Sequence, residues 1–408
     1  MSTRIESTYK KDKILFDLTH KSKNLYNYAN YIIRQEFINT TKQVEIKERE
    51  HAIWLRYNDI YNLIKEDVDF KSLPAQTSQA ILRRLDSNWK SFFKSIKDWK
   101  KNPQKYKAKP SLPKYKDKKG YFLTVYPGQN LSIKDDYIII PKTDGYKIKT
   151  KVKKEDLKEL RLVPVANKIK IEIVYQKKIK PTNKNKERKL SIDIGVNNLM
   201  AITSNQENIS SCLINGRPVK SINQFYNKTL AQRKSILEKV NGKKTSCFLK
   251  KLSFKREMKI NDYFHKASRW LVEFANENDI GQIVIGKNKD WKQEVNFWKK
   301  DNQNFVQIPF CRLIQQIKYK AEEYGIEVIE QEESYTSKCD HLAFEEMKHQ
   351  EKYLGKRIKR GMFKSSTGKI INADVNGAIG ILRKVSGNCF IKNIVSRGNV
   401  FLPYKLCF

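Results

Sequence analysis

Leu190-Ser191-Ile192-Asp193-Ile194-Gly195, followed closely by Leu199-Met200-Ala201-Ile202-Thr203, is the stretch on which the fold turns. It reads as a short buried strand and its hairpin partner. Asp193 stands between two isoleucines, where a charge is costly to bury. Gly195 admits a close approach of backbone or ligand. An aspartate at a strand end also caps turns, so this strand alone does not decide between structure and chemistry. Downstream, a third strand is predicted within 211–219, then helices over about 224–278 with a break near Gly242. A strand at Ile283-Val284-Ile285-Gly286, a helix over 313–324 closed by Gly325, a strand over 327–333 and a helix over 372–385 follow. Antiparallel strands followed by helix–strand–helix–strand–helix is an α/β order.

Upstream the grammar differs. Leu25, Tyr28, Ala29, Ile32 and Ile33, and then Ile81, Leu85, Trp89, Phe92, Phe93 and Ile96, recur at three- and four-residue steps, so 22–99 reads as helical. Residues 101–120 carry eight Lys, one Asp and three Pro. The prolines forbid a continuous helix and leave an extended basic connector. From 121 to 175 the period becomes two. Tyr146-Lys147-Ile148-Lys149-Thr150-Lys151-Val152-Lys153 alternates strictly, as does 168–173, giving strands with one apolar and one lysine face. Such a face is either a solvated edge or a phosphate-contacting surface. Residues 181–189 form a charged linker, and 386–408 carry no readable pattern.

The 408 residues contain 82 Lys+Arg against 44 Asp+Glu, a formal charge of +38. That excess points to a polyanion, nucleic acid before an anionic membrane surface. An apolar content of 39% is enough for folded domains. No apolar run is long enough for a transmembrane helix, and Met1–Ser7 has no apolar stretch of signal type. None of the six cysteines forms a C-x-x-C pair, so neither a disulfide framework nor a four-cysteine zinc ribbon is expected. A reduced, cytoplasmic protein is.

Asp374 opens the last helix in Asn372-Ala373-Asp374-Val375-Asn376-Gly377-Ala378. Alone it is an ordinary first-turn acid behind an asparagine cap. With Asp193 it gains meaning. Two acids, one on a central strand and one opening a late helix, can converge on divalent cations. Mg²⁺ prefers carboxylate oxygens and needs few of them. Two such ions can serve a phosphodiester displacement. In a chain of this charge the pair reads as a metal-dependent nuclease.

Those two segments resemble the first and third RuvC motifs of the TnpB (OrfB) proteins of insertion sequences, relatives of type V CRISPR effectors. Leu73-Pro-Ala-Gln-Thr-Ser-Gln79 and Asn88-Trp-Lys-Ser-Phe-Phe-Lys94 resemble that family's helical recognition lobe. Lys109-Pro-Ser-Leu-Pro-Lys-Tyr-Lys116 resembles its return into the wedge barrel. Tyr335-Thr-Ser-Lys338 and Arg357-Ile-Lys-Arg-Gly361 fall where the family has its segment before the last aspartate. The resemblance implies a multidomain α+β chain. A wedge β-barrel (1–20 and 120–180) is interrupted by a helical recognition lobe and basic connector (21–119). An RNase H-like RuvC α/β nuclease domain (181–385) and a tail (386–408) follow. It implies RNA-guided cleavage of double-stranded DNA beside a short motif, with a guide RNA from the same locus and two Mg²⁺ ions that Mn²⁺ can replace. Gln76 and Gln79 are candidates for reading that motif, or plain helix surface. Lys147, Lys149, Lys151 and Lys153 are candidates for backbone contact.

Two departures from the family stand out. The strand position that usually carries the second catalytic glutamate is Gly286, and Cys339 stands alone where relatives carry paired C-x-x-C motifs. With only His341 and His349 nearby, zinc is not expected. Either the nuclease is dead, leaving a guided repressor of transcription, or another acid has moved in. Glu333, past the neighbouring strand, points to the same end as Gly286. Glu332 points to the opposite face by alternation, and Glu294 lies on a less constrained loop. The expected catalytic and metal-binding set is therefore Asp193, Glu333 and Asp374. A strand-joining transposase is the remaining reading, and the motif order argues against it.

Overall fold

The structure is a computed structural model that describes residues 2–179, 184–242, 244–288 and 305–408. The chain divides into two compact units, Met1–Lys178 and Ile179–Phe408.

In the first unit β1 (Ser2–Lys10) leads into α1 (Lys13–Glu45). The helix starts where Asp12 accepts a hydrogen bond from the Ile14 amide at 2.9 Å. Helices α2 (Tyr57–Ile64), α3 (Val68–Lys71) and α4 (Ala75–Lys101) follow. The helical region thus begins at Lys13, not at 21–22, because the Asp12 cap sets its start. Residues 46–56 interrupt it. Strands β2 (Thr124–Pro127), β3 (Ser132–Lys134), β4 (Tyr137–Ile139), β5 (Lys147–Lys149), β6 (Leu157–Val165) and β7 (Lys168–Lys177) complete the unit. β1-β7-β6-β2 form one antiparallel sheet and β3-β4-β5 another, and among the described residues no pairing closes either into a barrel. Leu18, Leu25, Trp89, Tyr126, Ile148, Leu160 and Ile171 share one core, so helices and sheets fold as one body. Only 147–149 of the lysine-alternating stretch is laddered. The alternation itself continues: Lys147, Lys149, Lys151 and Lys153 are exposed, while Ile148 and Val152 are buried.

The second unit is built on β8 (Lys189–Asp193), β9 (Asn198–Ser204) and β10 (Cys212–Asn215). Then come α5 (Arg217–Asn241), α6 (Cys247–Glu277), β11 (Gln282–Gly286), α7 (Phe310–Ala321) and β12 (Glu327–Gln331). The hairpin strands β13 (Lys356–Lys359), β14 (Met362–Lys364) and β15 (Ile370–Asn372) precede α8 (Ala373–Ser386), α9 (Cys389–Ser396) and β16 (Tyr404–Leu406). The main sheet runs β12-β11-β8-β9-β10-β16. β8-β9-β10 is an antiparallel meander, and β11 and β12 lie parallel to β8.

Two departures from the sequence reading have local causes. α5 begins at Arg217 rather than near 224, because Pro218 sits in its first turn, where the missing amide costs nothing. The break at Gly242 is a left-handed cap with φ +61°. The unreadable tail supplies both α9 and the sheet's sixth strand.

Layering follows from alternation. Leu190 and Ile192 of β8 and Ile283 and Ile285 of β11 join Phe264, Leu271, Leu313 and Ile317 in one core with α6 and α7. Ala201, Leu213, Val375, Ile379 and Leu382 form a second core on the opposite face, under α8. Residues between the first set must therefore face α8. Ser191 does, donating to the Ala378 carbonyl at 2.7 Å. Asp193, two residues on, shares that face.

Candidate functional site

Asp193 ends β8 directly beneath α8. A Cβ placed on Gly377 would lie 2.6 Å from its Oδ2, so only glycine in the helix's first turns leaves room for the carboxylate. Asn372 caps α8, accepting from the Asp374 amide at 2.9 Å and the Val375 amide at 3.3 Å. That cap fixes the turn carrying Asp374, whose Oδ2 accepts from Asn198 Nδ2 at 2.7 Å. Asn198 opens β9, so the hairpin that carries Asp193 also orients Asp374.

The third acid arrives from β12. That strand ends at Gln331, and Glu332 and Glu333 separate beyond it. Glu332 is exposed and paired with Lys384 at 2.7 Å. Glu333 turns inward, held by Asn288, whose Nδ2 donates to Oε1 at 3.3 Å and whose Oδ1 accepts from the Glu333 amide at 3.1 Å. At Gly286 a Cβ would meet Glu333 Oε2 at 2.7 Å and would collide with Ile381 Cδ1. The space a side chain at 286 would occupy is thus shared by the Glu333 carboxylate and Ile381. Glu294 lies outside the described residues.

The charges respond to one another. Burial first, then the negative charges of Glu333 and Asp374, push Asp193 well above the usual carboxylate range, and Arg357 acts against them. Glu333 is pushed up to about 7, chiefly by burial and secondarily by Glu332, with Lys384 opposing. The side chains are hard oxygen donors of the kind divalent cations select. Among the described residues, however, no three His, Cys, Asp or Glu side chains close into a ready-made metal centre. The donor chemistry fits a divalent cation. In the sequence Arg357 is marked only as the start of the segment before the last aspartate, with no role of its own. It lies far from Asp193 along the chain and is brought there by the β13–β14 turn, where Gly361 has φ +78°. A cleft of about 1010 Å³ opens beside Asp374, lined also by Asn198, Arg217, Arg357, Arg360 and Lys405.

The segment expected to lack zinc is organised by hydrogen bonds. Cys339 Sγ donates to the Glu346 carbonyl at 3.5 Å. His341 Nε2 donates to the Thr336 carbonyl at 2.6 Å, and its Nδ1 accepts from Arg383 at 2.8 Å, so both ring nitrogens are engaged. His349 lies edge-on to Tyr335 instead.

Of the other sequence candidates, Gln76 and Gln79 lie half-buried in the first turns of α4. Gln76 accepts a hydrogen bond from Gln129 at 2.8 Å. The four lysines and both glutamines belong to the first unit, the three acids to the second.

The OrfB_IS605 family, described as "Probable transposase", matches residues 168–292. The Cas12f1-like TNB domain matches residues 310–381. The chain is similar to TnpB-like proteins over most of its length. It is 25% identical over 419 residues to the TnpB-like protein ORF457 of Acidianus two-tailed virus, covering 91% of this chain and 83% of that protein. It is 27% identical over 188 residues to the TnpB-like protein MJ0751 of Methanocaldococcus jannaschii, covering 43% of this chain and 62% of that one. In fold it matches a cryo-EM structure of a Cas12f1–sgRNA–target DNA complex with TM-score 0.50 and 16% identity, over 90% of this chain and 82% of that one.

Proposed function

We propose that this TnpB-like chain is an RNA-guided DNA endonuclease encoded by an insertion sequence. Its second unit would be an RNase H-like RuvC nuclease and its first unit the wedge and recognition lobe. One observation carries the reading: the carboxyl of Asp193, at the end of β8, is raised by burial and then by the negative charges of Glu333, past the end of β12, and Asp374, at the start of α8. The meander β8-β9-β10 flanked by parallel β11 and β12 supports the nuclease assignment. A nuclease-dead repressor would have no use for keeping both acids, Asp193 and Asp374.

In this reading the three carboxylates would hold two Mg²⁺ ions, or Mn²⁺ in their place. Bound there, the ions supply Lewis-acid stabilisation of the attacking and leaving oxygens. The chain's own groups prepare the site. Asn198 fixes the Asp374 carboxylate and Asn288 fixes Glu333. Ile381 and the Glu333 carboxylate share the space left at Gly286. Arg357 offsets part of the negative charge. A guide RNA from the same locus reads target DNA by base pairing, so most lysines act on backbones without regard to sequence. Gln76 and Gln79 remain candidates for the motif beside the target.

The test is to purify the protein with its RNA, sequence that RNA, and offer matching double-stranded DNA with Mg²⁺. A discrete RNA from the same locus and guided cleavage are expected. Degraded RNA of random origin, or guided binding without cleavage in either Mg²⁺ or Mn²⁺, would sink the endonuclease reading.

A further inference from the structure

Tyr335-Thr336-Ser337-Lys338, distinctive in the sequence, has no part so far in the acid site. In the structure it links Glu333 to the hydrogen-bonded cluster of His341 and Arg383. The backbone folds back directly after Glu333. The Thr336 amide donates to the Glu333 carbonyl at 3.2 Å, and the Thr336 hydroxyl donates to the same oxygen at 2.8 Å. Between them Tyr335 has φ +65°, a left-handed conformation that glycine or asparagine usually supplies in a turn. A tyrosine keeps such a backbone only where surrounding contacts impose it. Those contacts come from α8. Thr336 is buried, and its carbonyl accepts from His341 Nε2 at 2.6 Å. Arg383 of α8 donates to the other ring nitrogen at 2.8 Å. Gly380, one turn earlier in α8, leaves room for both: a Cβ there would lie 2.8 Å from Thr336 Cβ and would collide with His341 Nε2. Asn376, a further turn back, donates to the Cys339 carbonyl at 2.9 Å. The helix that carries Asp374 in its first turn therefore grips the chain just beyond Glu333. A buried threonine that bonds only to backbone is usually a feature of the fold. This one bonds to the carbonyl of the residue whose side chain joins the acid cluster, and the Asn288 bond to that side chain is long, at 3.3 Å.

We propose that Thr336 is a positioning residue for Glu333, and that His341, Arg383 and Gly380 anchor its turn to α8. The helix then sets the separation of Glu333 from Asp374. An acid that lies past the end of β12, with no strand ladder of its own, still keeps a fixed place. This rests on the nuclease reading for the purpose of Glu333 but is tested without cleavage.

The reporter is hydrogen exchange of the Glu333 amide in the full chain, resolved to single residues by fragmentation mass spectrometry. That amide donates to Asn288 Oδ1, so its protection follows the place of Glu333. Thr336→Val keeps the side chain's shape and loses the hydroxyl, and Glu333 exchange should speed up about tenfold, as for one lost hydrogen bond. Thr336→Ser keeps the hydroxyl and should keep the protection. Gly380→Ala removes no hydrogen-bonding group and only crowds Thr336 and His341, so it should lose protection as Thr336→Val does. Ser365→Ala removes a 2.8 Å bond to Asp340 but none to Thr336. It should lower the melting temperature and leave Glu333 exchange unchanged. In cleavage, Thr336→Val should raise the Mg²⁺ concentration for half-maximal rate about ten- to a hundredfold, the usual loss when a group behind a metal ligand is removed, with guided DNA binding intact. Unchanged Glu333 protection in Thr336→Val and Gly380→Ala overturns the proposal, and so does an equal loss in Thr336→Ser or Ser365→Ala. DNA cleavage by the unsubstituted protein would then still support the nuclease reading. Lost protection in a protein that never cuts DNA, or that cuts with unchanged Mg²⁺ demand, keeps the positioning and removes Glu333 from the metal site.

Discussion

Two polar clusters pack against α8, and they are opposites. Around Asp340 every charge is answered. Asp340 is fully buried and accepts from Ser365 Oγ at 2.8 Å, the Ser366 amide at 2.7 Å, Ser366 Oγ at 2.9 Å and the Ala343 amide at 3.3 Å. Glu345 accepts from the amides of Asp340 and Leu354. Arg383 donates to His341 and to the Glu345 and Phe344 carbonyls. Around Asp193 the charges oppose one another, and among the described residues its carboxylate accepts no hydrogen bond. Buried polar groups that serve only the fold are satisfied. Groups held apart from their preferred partners await another ligand. The same helix carries both, Arg383 near its end and Asp374 at its start.

If this contrast is sound, substitutions in the two clusters should fail in different ways. Arg383→Ala strands several buried acceptors, His341 Nδ1 among them. It should cost about 3–5 kcal/mol of stability, the range seen when one partner of a buried charged network is removed. Denaturant unfolding measures this, and a loss below about 1 kcal/mol would show that the cluster holds little.

Asp193→Ala and Glu333→Ala should do the reverse. Mg²⁺-dependent cleavage should fall by about 10²–10³-fold, as for removal of a group that stabilises transition-state charge. Melting temperature should hold or rise, because repulsion is relieved, and guided target binding should be nearly intact. Glu332→Ala and Glu294→Ala should be milder. Normal cleavage by Glu333→Ala would remove it from the site.

Between these lies a pH effect. Burial, and the charges of Arg383 and Lys384, hold His341 down to about 4 against an ordinary 6.5, with the Thr336 carbonyl and Asp340 opposing. The unfolded chain therefore binds the proton first. The stabilisation is complete above about pH 6.5 and is lost as pH falls toward 4, amounting to about 3 kcal/mol. Unfolding curves at pH 7 and pH 4.5 for the protein and for His341→Gln should differ in their pH dependence by most of that amount. Parallel declines would show that other groups account for the loss.

The smallest effect is expected on the lysine face of the first unit. Changing Lys147, Lys149, Lys151 and Lys153 together to Ala should flatten the salt dependence of nucleic-acid binding by about 0.7 to 0.9 per lost contact. An unchanged slope would put that face in free solvent and leave the cleft beside Asp374 as the main site.

How much of this the sequence determined depends on the range of the interaction. Period-two alternation is local, so strands β7, β8, β9 and β11, and the face on which Asp193 lies, could be read from neighbours two residues away. Helix limits were also written locally, in Asp12 and Pro218, though only the cap geometry gave those residues their meaning. The presence of Asp374 in a helix's first turn was legible, and so was the missing side chain at Gly286. What the sequence could not decide was which distant groups share a point in space. Three glutamates cluster near the end of β12. Only the packing of Ile381 and the grip of Asn288 turn Glu333 inward, while Lys384 draws Glu332 out. Arg357 reaches Asp193 through a hairpin turn, and Lys405 reaches the cleft because a three-residue strand with no pattern of its own finds the open edge of β10. Such a strand gains its hydrogen bonds from its partner and not from its own composition, so only the tertiary structure could decide it.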